Sequence, residues 1–276
     1  MPEPTPAVVS AAPRTVRAEP VMGTVITVDV RDPDVDPAAV DLAFAWFREV
    51  DEIFSTYRPG SEISRLSRQE ITAPGCRPEV REVLGLCAEV EYRSGGAFDI
   101  HTGGRLDPSG LVKGWSVERA AAILQTAGAR NFFIGAGGDV VVRGAPAPDQ
   151  PWLVGIRHPE LPDRMAAVLA VGDLAVATSG CYERGEHIID PSTGLPPSGL
   201  LSMTVIGPSL TYADAFATAA FVMGVAGAPW VSGIEGYEAL AITEDRRTVW
   251  TSGVERLLVH QTRPTVRAAS GAAVSV

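Results

Sequence analysis

The stretch from Leu106 to Gly144, LDPSGLVKGWSVERAAAILQTAGARNFFIGAGGDVVVRG, constrains this chain more than any other. It sets an acid (Asp107), a lysine among glycines (Lys113, between Gly110 and Gly114), a helical segment and a glycine-rich strand end carrying Asp139 in close succession. A lysine beside a glycine turn at a helix start suits a phosphate: the backbone approaches closely, its N–H groups point outward and the ammonium adds charge. A carboxylate on the same turn cannot serve a phosphate directly, but it suits a ribose hydroxyl, a base edge or a metal that bridges to phosphate. The first expectation is therefore a nucleotide or dinucleotide site. The glycines of Gly135 to Asp139 do not form GxGxxG and do not open a helix, so a Rossmann reading fails its context test. They make either a tight β-turn or a backbone nest against a ligand.

The rest of the chain reads as an α/β protein of α+β type. A strand is expected over Val21–Val30. Helices are expected over Pro37–Tyr57 and Pro78–Tyr92, where apolar residues recur at spacings of three and four. A third helix is expected over Ser116–Ala127, with Ser116 as its N-cap, and a fourth, nearly all apolar and hence buried, over Ala213–Met223. Short strands are expected at Phe132–Ile134, Val140–Val142, Trp152–Arg157, Ala166–Val171, Ala175–Thr178, Leu201–Ile206, Ala239–Thr243 and Thr248–Ser252. The order has no strict βαβ rhythm, which predicts mixed β-sheets with packed helices in a single compact unit and not a Rossmann fold. Residues 1–17 read as a disordered lead, 18–261 as the folded domain and 262–276 as a flexible tail.

Several classes are disfavoured. A net charge of −10 argues against nucleic acid and against an anionic membrane surface. No apolar run is long enough for a transmembrane segment. The N-terminus lacks the charged and long apolar regions of a signal peptide, and Cys76, Cys87 and Cys181 form no CxxC pair. A cytoplasmic protein is expected, with no lipid-bearing cysteine.

Five features carry chemistry. Asp214 and Thr218, at i and i+4, share a helix face and make a hard oxygen pair suited to Mg²⁺; alternatively, Asp214 caps the helix and Thr218 bonds back to a carbonyl. His187 precedes the Asp190-Pro191 turn and is either a proton acceptor or incidental to that turn. Tyr57 either packs or stacks on a planar ring. Ala97-Phe98-Asp99 follows Gly95-Gly96 and is either a surface turn or a ligand contact. Gly135 to Asp139 is the fifth.

In order along the chain, Met22-Gly23-Thr24, FSTYRPGSEISRLS (54–67), GGAFDI (95–100), LDPSGLVKGWSVERA (106–120), GAGGDVVVRG (135–144), ATSGCYERGEHIIDPSTGLP (177–196) and YADAFATAAFVMG (212–224) resemble the ApbE-type flavin transferases, over roughly residues 18–258. The resemblance implies a T-fold-like domain. It also implies an FAD:protein FMN transferase that uses Mg²⁺ and FAD, attaches FMN to a Thr or Ser hydroxyl of an acceptor flavoprotein and releases AMP. Carried over by motif, Met22, Tyr57, Ala97, Phe98, Asp99, Asp107, Lys113 and Ile188 line the FAD site, with Gly137 to Asp139 near the ligand. Asp214 and Thr218 bind Mg²⁺ through side chains and Gly110 and Ala217 through carbonyls; His187 and Asp214 are the catalytic residues, His187 as the general base. Lys113 either offsets phosphate charge or orients the flavin ring. Two alternatives share the site: an FAD pyrophosphatase with water as acceptor, and a flavin-binding protein without turnover. Cys181 reads as a tolerated small residue within its motif.

Overall fold

The structure, a computed structural model, describes residues 14–101, 104–161, 163–180, 188–259 and 273–275. The expected strand at Val21–Val30 is the second arm of a hairpin. β1 (Thr15–Val21) pairs antiparallel with β2 (Thr24–Val30) around Met22 and Gly23, whose φ values are 54° and 71°. Two consecutive positive φ angles match the twist of a two-residue hairpin, so glycine suits one position while Met22 holds a conformation rare for its type.

The remaining strands are β3 (Phe132–Ala136), β4 (Asp139–Arg143), β5 (Trp152–Arg157), β6 (Met165–Val171), β7 (Ala175–Gly180), β8 (Leu200–Gly207), β9 (Glu238–Thr243), β10 (Thr248–Trp250) and β11 (Ala273–Ser275). Among the described residues the α-helices are α1 (Ala38–Phe54), α2 (Glu62–Ser67), α3 (Pro78–Arg93), α4 (Ser109–Thr126), α5 (Leu210–Val222) and α6 (Gly227–Ser232). Eight strands form one sheet in the order β1-β2-β3-β4-β7-β8-β9-β10, antiparallel at every pair. A second sheet, β11-β5-β6, joins β5 and β6 antiparallel and β11 parallel to β5. β1 starts within the segment expected to lead into the domain, and β11 lies within the expected tail; in both cases a neighbouring strand supplies backbone partners that composition does not reveal.

The large sheet is covered on both faces. Along β4, Val141 faces the helices with Ile134, Val205 and Phe216, whereas Val140 and Val142 face Trp152, Val154 and Leu169 of the small sheet. Successive side chains point to opposite faces, so a strand apolar at every position requires a layer on each side. This is why β4 and β7 show no hydrophobic alternation. The layers are helices, large sheet and small sheet, consistent with the α+β class read from the sequence.

One helix differs in a way that matters. α4 begins at Ser109, not Ser116, so Lys113 lies inside it and Gly110 to Gly114 is no turn. Asp107 accepts the Ser109 N–H at 2.9 Å and starts the helix, and the Ser116 hydroxyl donates to the Lys113 carbonyl at 2.8 Å. The glycine at 114 serves close approach: a Cβ there would lie 2.4 Å from the Leu210 carbonyl oxygen and 2.8 Å from Asp214 Cβ. α4 and α5 thus meet nearly backbone to backbone.

Cys87 is buried on α3, and burial pushes its thiol up to about 12. Only the thiolate is nucleophilic, so Cys87 stays protonated through neutral and mildly alkaline pH. Iodoacetamide at pH 8 is expected to leave Cys87 unlabelled in the native protein and to label it fully in urea, as read by peptide mapping. Equal labelling in both states would contradict the burial.

Candidate functional site

The α4–α5 contact places the polar side chains of two apolar helices against the ends of β4 and β7. Lys113, in the second turn of α4, reaches Asp139 Oδ2 at 2.8 Å and Asp214 Oδ1 at 3.8 Å. Both acids are buried, with side-chain exposures of 0% for Asp139 and 5% for Asp214, while Lys113 keeps 22%. Asp139, first residue of β4, also accepts the Thr178 N–H from β7 at 3.2 Å. Burying a carboxylate without compensation is costly, so both acids depend on such donors. The two acids and one ammonium carry one more negative than positive charge.

Asp214 does not cap its helix, which begins at Leu210, four residues earlier. Its Oδ2 instead accepts the Gly114 N–H of α4 at 2.9 Å. That N–H would ordinarily point at the Gly110 carbonyl. Thr218, one turn on, lies 3.3 Å from the Ser179 hydroxyl at the end of β7. Behind Ser179, Thr178 and Thr204 share a hydroxyl–hydroxyl bond of 2.9 Å. Gly110 faces both Thr218 and Phe98: a Cβ there would lie 3.5 Å from Thr218 Oγ1 and 3.2 Å from Phe98 Cε2. Ala217 is buried in α5 between Asp214 and Thr218 in sequence.

The structure therefore brings together Phe98, Gly110, Lys113, Asp139, Asp214, Ala217 and Thr218. Met22 joins them from the hairpin turn, its Sδ 3.6 Å from the Ser116 hydroxyl. Ile188 packs at the edge of the helix-side core, as does Ala97. Asp99 accepts the His101 N–H at 2.7 Å. Asp107 is exposed and tied to that segment by its own N–H, which donates to the Ile100 carbonyl at 2.7 Å. Tyr57 is 95% exposed. His187 and Cys181 lie outside the described residues.

Sequence reasoning did not nominate Thr178 and Ser179. Their signal was available: two hydroxyl residues close the apolar strand Ala175–Gly180 and remain buried there. A cavity of about 770 Å³ lies elsewhere, between α1, α3 and α4 around Trp46, Leu86 and Ile123, and contains none of these residues. The convergence of buried charge, rather than concavity, marks the site.

Comparison with known proteins places the chain in a family. The family model described as "ApbE family" matches residues 22–105 and 101–241. A FAD:protein FMN transferase of Vibrio cholerae is 36% identical over 129 residues, 43% of this chain and 39% of that protein. The FAD:protein FMN transferase of Treponema pallidum is 33% identical over 171 residues, 55% of this chain and 47% of that protein. The matched region thus spans less than half the length of these relatives. The solved structure of the flavin transferase ApbE from Vibrio cholerae has a TM-score of 0.80 at 24% identity, covering 90% of this chain and 100% of that one. The ApbE protein of Thermotoga maritima gives 0.79 at 23%, with the same coverage. These likenesses establish the fold. Among the described residues, no helix is long and apolar enough to cross a membrane.

Proposed function

Since this chain belongs to the ApbE family, we propose that it is an FAD:protein FMN transferase. The observation that carries the proposal is the meeting of Lys113, Asp139, Asp214, Thr218 and Gly110 at one point between α4, α5, β4 and β7. FAD is the substrate, and a Thr or Ser hydroxyl of an acceptor flavoprotein takes the FMN.

The residues present suit a hard divalent cation. The donors are oxygens: the Asp214 carboxylate, the Thr218 hydroxyl and the carbonyls of Gly110 and Ala217. The glycine at 110 leaves open the space beside Thr218 Oγ1 that a Cβ would fill, and the Gly114 N–H is drawn to Asp214. Mg²⁺ favours such oxygens and keeps positions for phosphate and water. When bound, Mg²⁺ supplies neutralisation of charge on the pyrophosphate oxygens.

In the reaction, the acceptor hydroxyl oxygen bonds to the phosphorus on the FMN side of the pyrophosphate. The bond from that phosphorus to the bridging oxygen breaks, and AMP leaves with that oxygen. Lys113 offsets part of the phosphate charge or holds the flavin ring. Met22, Tyr57, Ala97, Phe98, Asp99, Asp107 and Ile188 complete the FAD contacts, and His187 takes the proton of the attacking hydroxyl.

The decisive experiment incubates the protein with FAD, Mg²⁺ and candidate flavoproteins, following in-gel flavin fluorescence after denaturation together with AMP. A labelled acceptor and matching AMP are expected. AMP without any labelled acceptor would assign water as the acceptor and overturn the transferase reading. His187→Ala is expected to retain FAD binding while slowing transfer by roughly 10²–10⁴-fold, the range for a general base. An unchanged single-turnover rate would remove His187 from the mechanism.

A further inference from the structure

We propose that Asp139 is a positioning residue: it holds the Lys113 ammonium away from Asp214, so that Asp214 is able to take the divalent cation. This rests on the metal reading above and extends it to a residue outside the proposed ligand set.

Lys113 stands between two buried acids at unequal distances, 2.8 Å from Asp139 and 3.8 Å from Asp214. A lysine ammonium is a compact charge on a flexible stem, so the anions around it decide where it rests. Asp139 is anchored in the large sheet. It opens β4 opposite Ala177 of β7, and its Oδ1 accepts the Thr178 N–H. The turn before it lies close against β2. Gly137 has a φ of 63°, and a Cβ there would lie 3.0 Å from Thr24 Oγ1 of β2.

Removing the Asp139 charge leaves Asp214 as the carboxylate already nearest to the ammonium among the described residues. The lysine then competes with the cation for the same oxygens, since opposite charges a few ångströms apart in a buried setting interact strongly. Asp139 therefore acts through Lys113 and needs no contact with the ion.

The test uses Mn²⁺ alone as the probe on the full chain without FAD, with free Mn²⁺ read by electron paramagnetic resonance. Asp139→Asn keeps the size and the Oδ1 acceptor for Thr178. It is expected to weaken Mn²⁺ binding roughly tenfold. Adding Lys113→Met to it should restore affinity to within about threefold of wild type, because the competing ammonium is gone. Lys113→Met alone, in which the acid pair is intact, is expected to bind Mn²⁺ at least as tightly as wild type; this variant decides the matter if Asp139→Asn does not fold. Unchanged binding in Asp139→Asn overturns the proposal. A double variant as weak as the single one also overturns it, since Asp139 would then hold the ion itself, and so does weaker binding in Lys113→Met. A wild-type protein that binds no Mn²⁺ removes the metal reading, and this inference with it.

Discussion

Asp214→Asn is expected to cut Mg²⁺-dependent AMP release from FAD by roughly 10²–10³-fold, while leaving the thermal midpoint nearly unchanged. The two halves of this expectation have separate causes. Asn keeps the side-chain volume and a carbonyl oxygen for the Gly114 N–H, which Asp214 now accepts at 2.9 Å. What it loses is the charge that holds a divalent cation and sets the field around the pyrophosphate, an effect of that size when one preorganised electrostatic group is removed. Asp214→Ala loses both, so it should unfold earlier as well. Wild-type turnover in Asp214→Asn would sink the metal assignment.

Gly114→Ala should do the reverse, damaging the fold first. In an exposed helix this change gains roughly 1 kcal/mol, because glycine is a poor helix former. Here the new Cβ would meet the Leu210 carbonyl oxygen at 2.4 Å, and both are parts of helix backbones that cannot swing aside. Overpacking of this kind costs roughly 1–3 kcal/mol and occasionally more. For a chain of this size that corresponds to a fall of roughly 2–6 °C in Tm. Separation of α4 from α5 also draws Lys113 away from Asp214, so FAD binding should weaken in the fraction that remains folded. A midpoint equal to or above wild type, measured by calorimetry, would show that the helices part without cost.

These two residues also show what was legible in the sequence. Helical spacing put Asp214 and Thr218 on one face but left a capping role open as well as a ligand role; the resemblance singled them out, and the structure keeps both on α5, with Asp214 beside Lys113. Gly110 and Gly114 were visible as glycines, but local preference reads them as a turn, and only the neighbour one hundred positions away turns them into contact surface. The same error moved the expected helix start to Ser116, whose hydroxyl in fact bonds back to the Lys113 carbonyl inside the helix. Met22 illustrates the limit for strands: it takes a φ of 54° in the two-residue reversal Met22-Gly23 that joins β1 to β2, a place for which its residue type gives no signal. Asp139 looked like the end of a glycine turn, and its value lies in a charge supplied from another element. Tyr57 is the opposite case, prominent by type and almost fully exposed, so packing does not account for it. Patterns of burial and spacing could be read from the chain, whereas pairings between distant polar groups could not.

The span between Gly114 and Asp214 has a consequence for how this protein comes into being. A chain emerging from the ribosome presents Lys113 and Asp139 long before α5 exists, and domains generally order as their parts become available. Until Leu210–Val222 has been made, the lysine lacks one of its two acids, and α4 lacks the surface its glycines were shaped for. Contacts of such long sequence separation close late, because the loop entropy comes before the reward. Nascent chains arrested before α5 should therefore leave α4 open to protease and fail to retain FAD. Competence should arrive in a single step once that helix clears the exit tunnel.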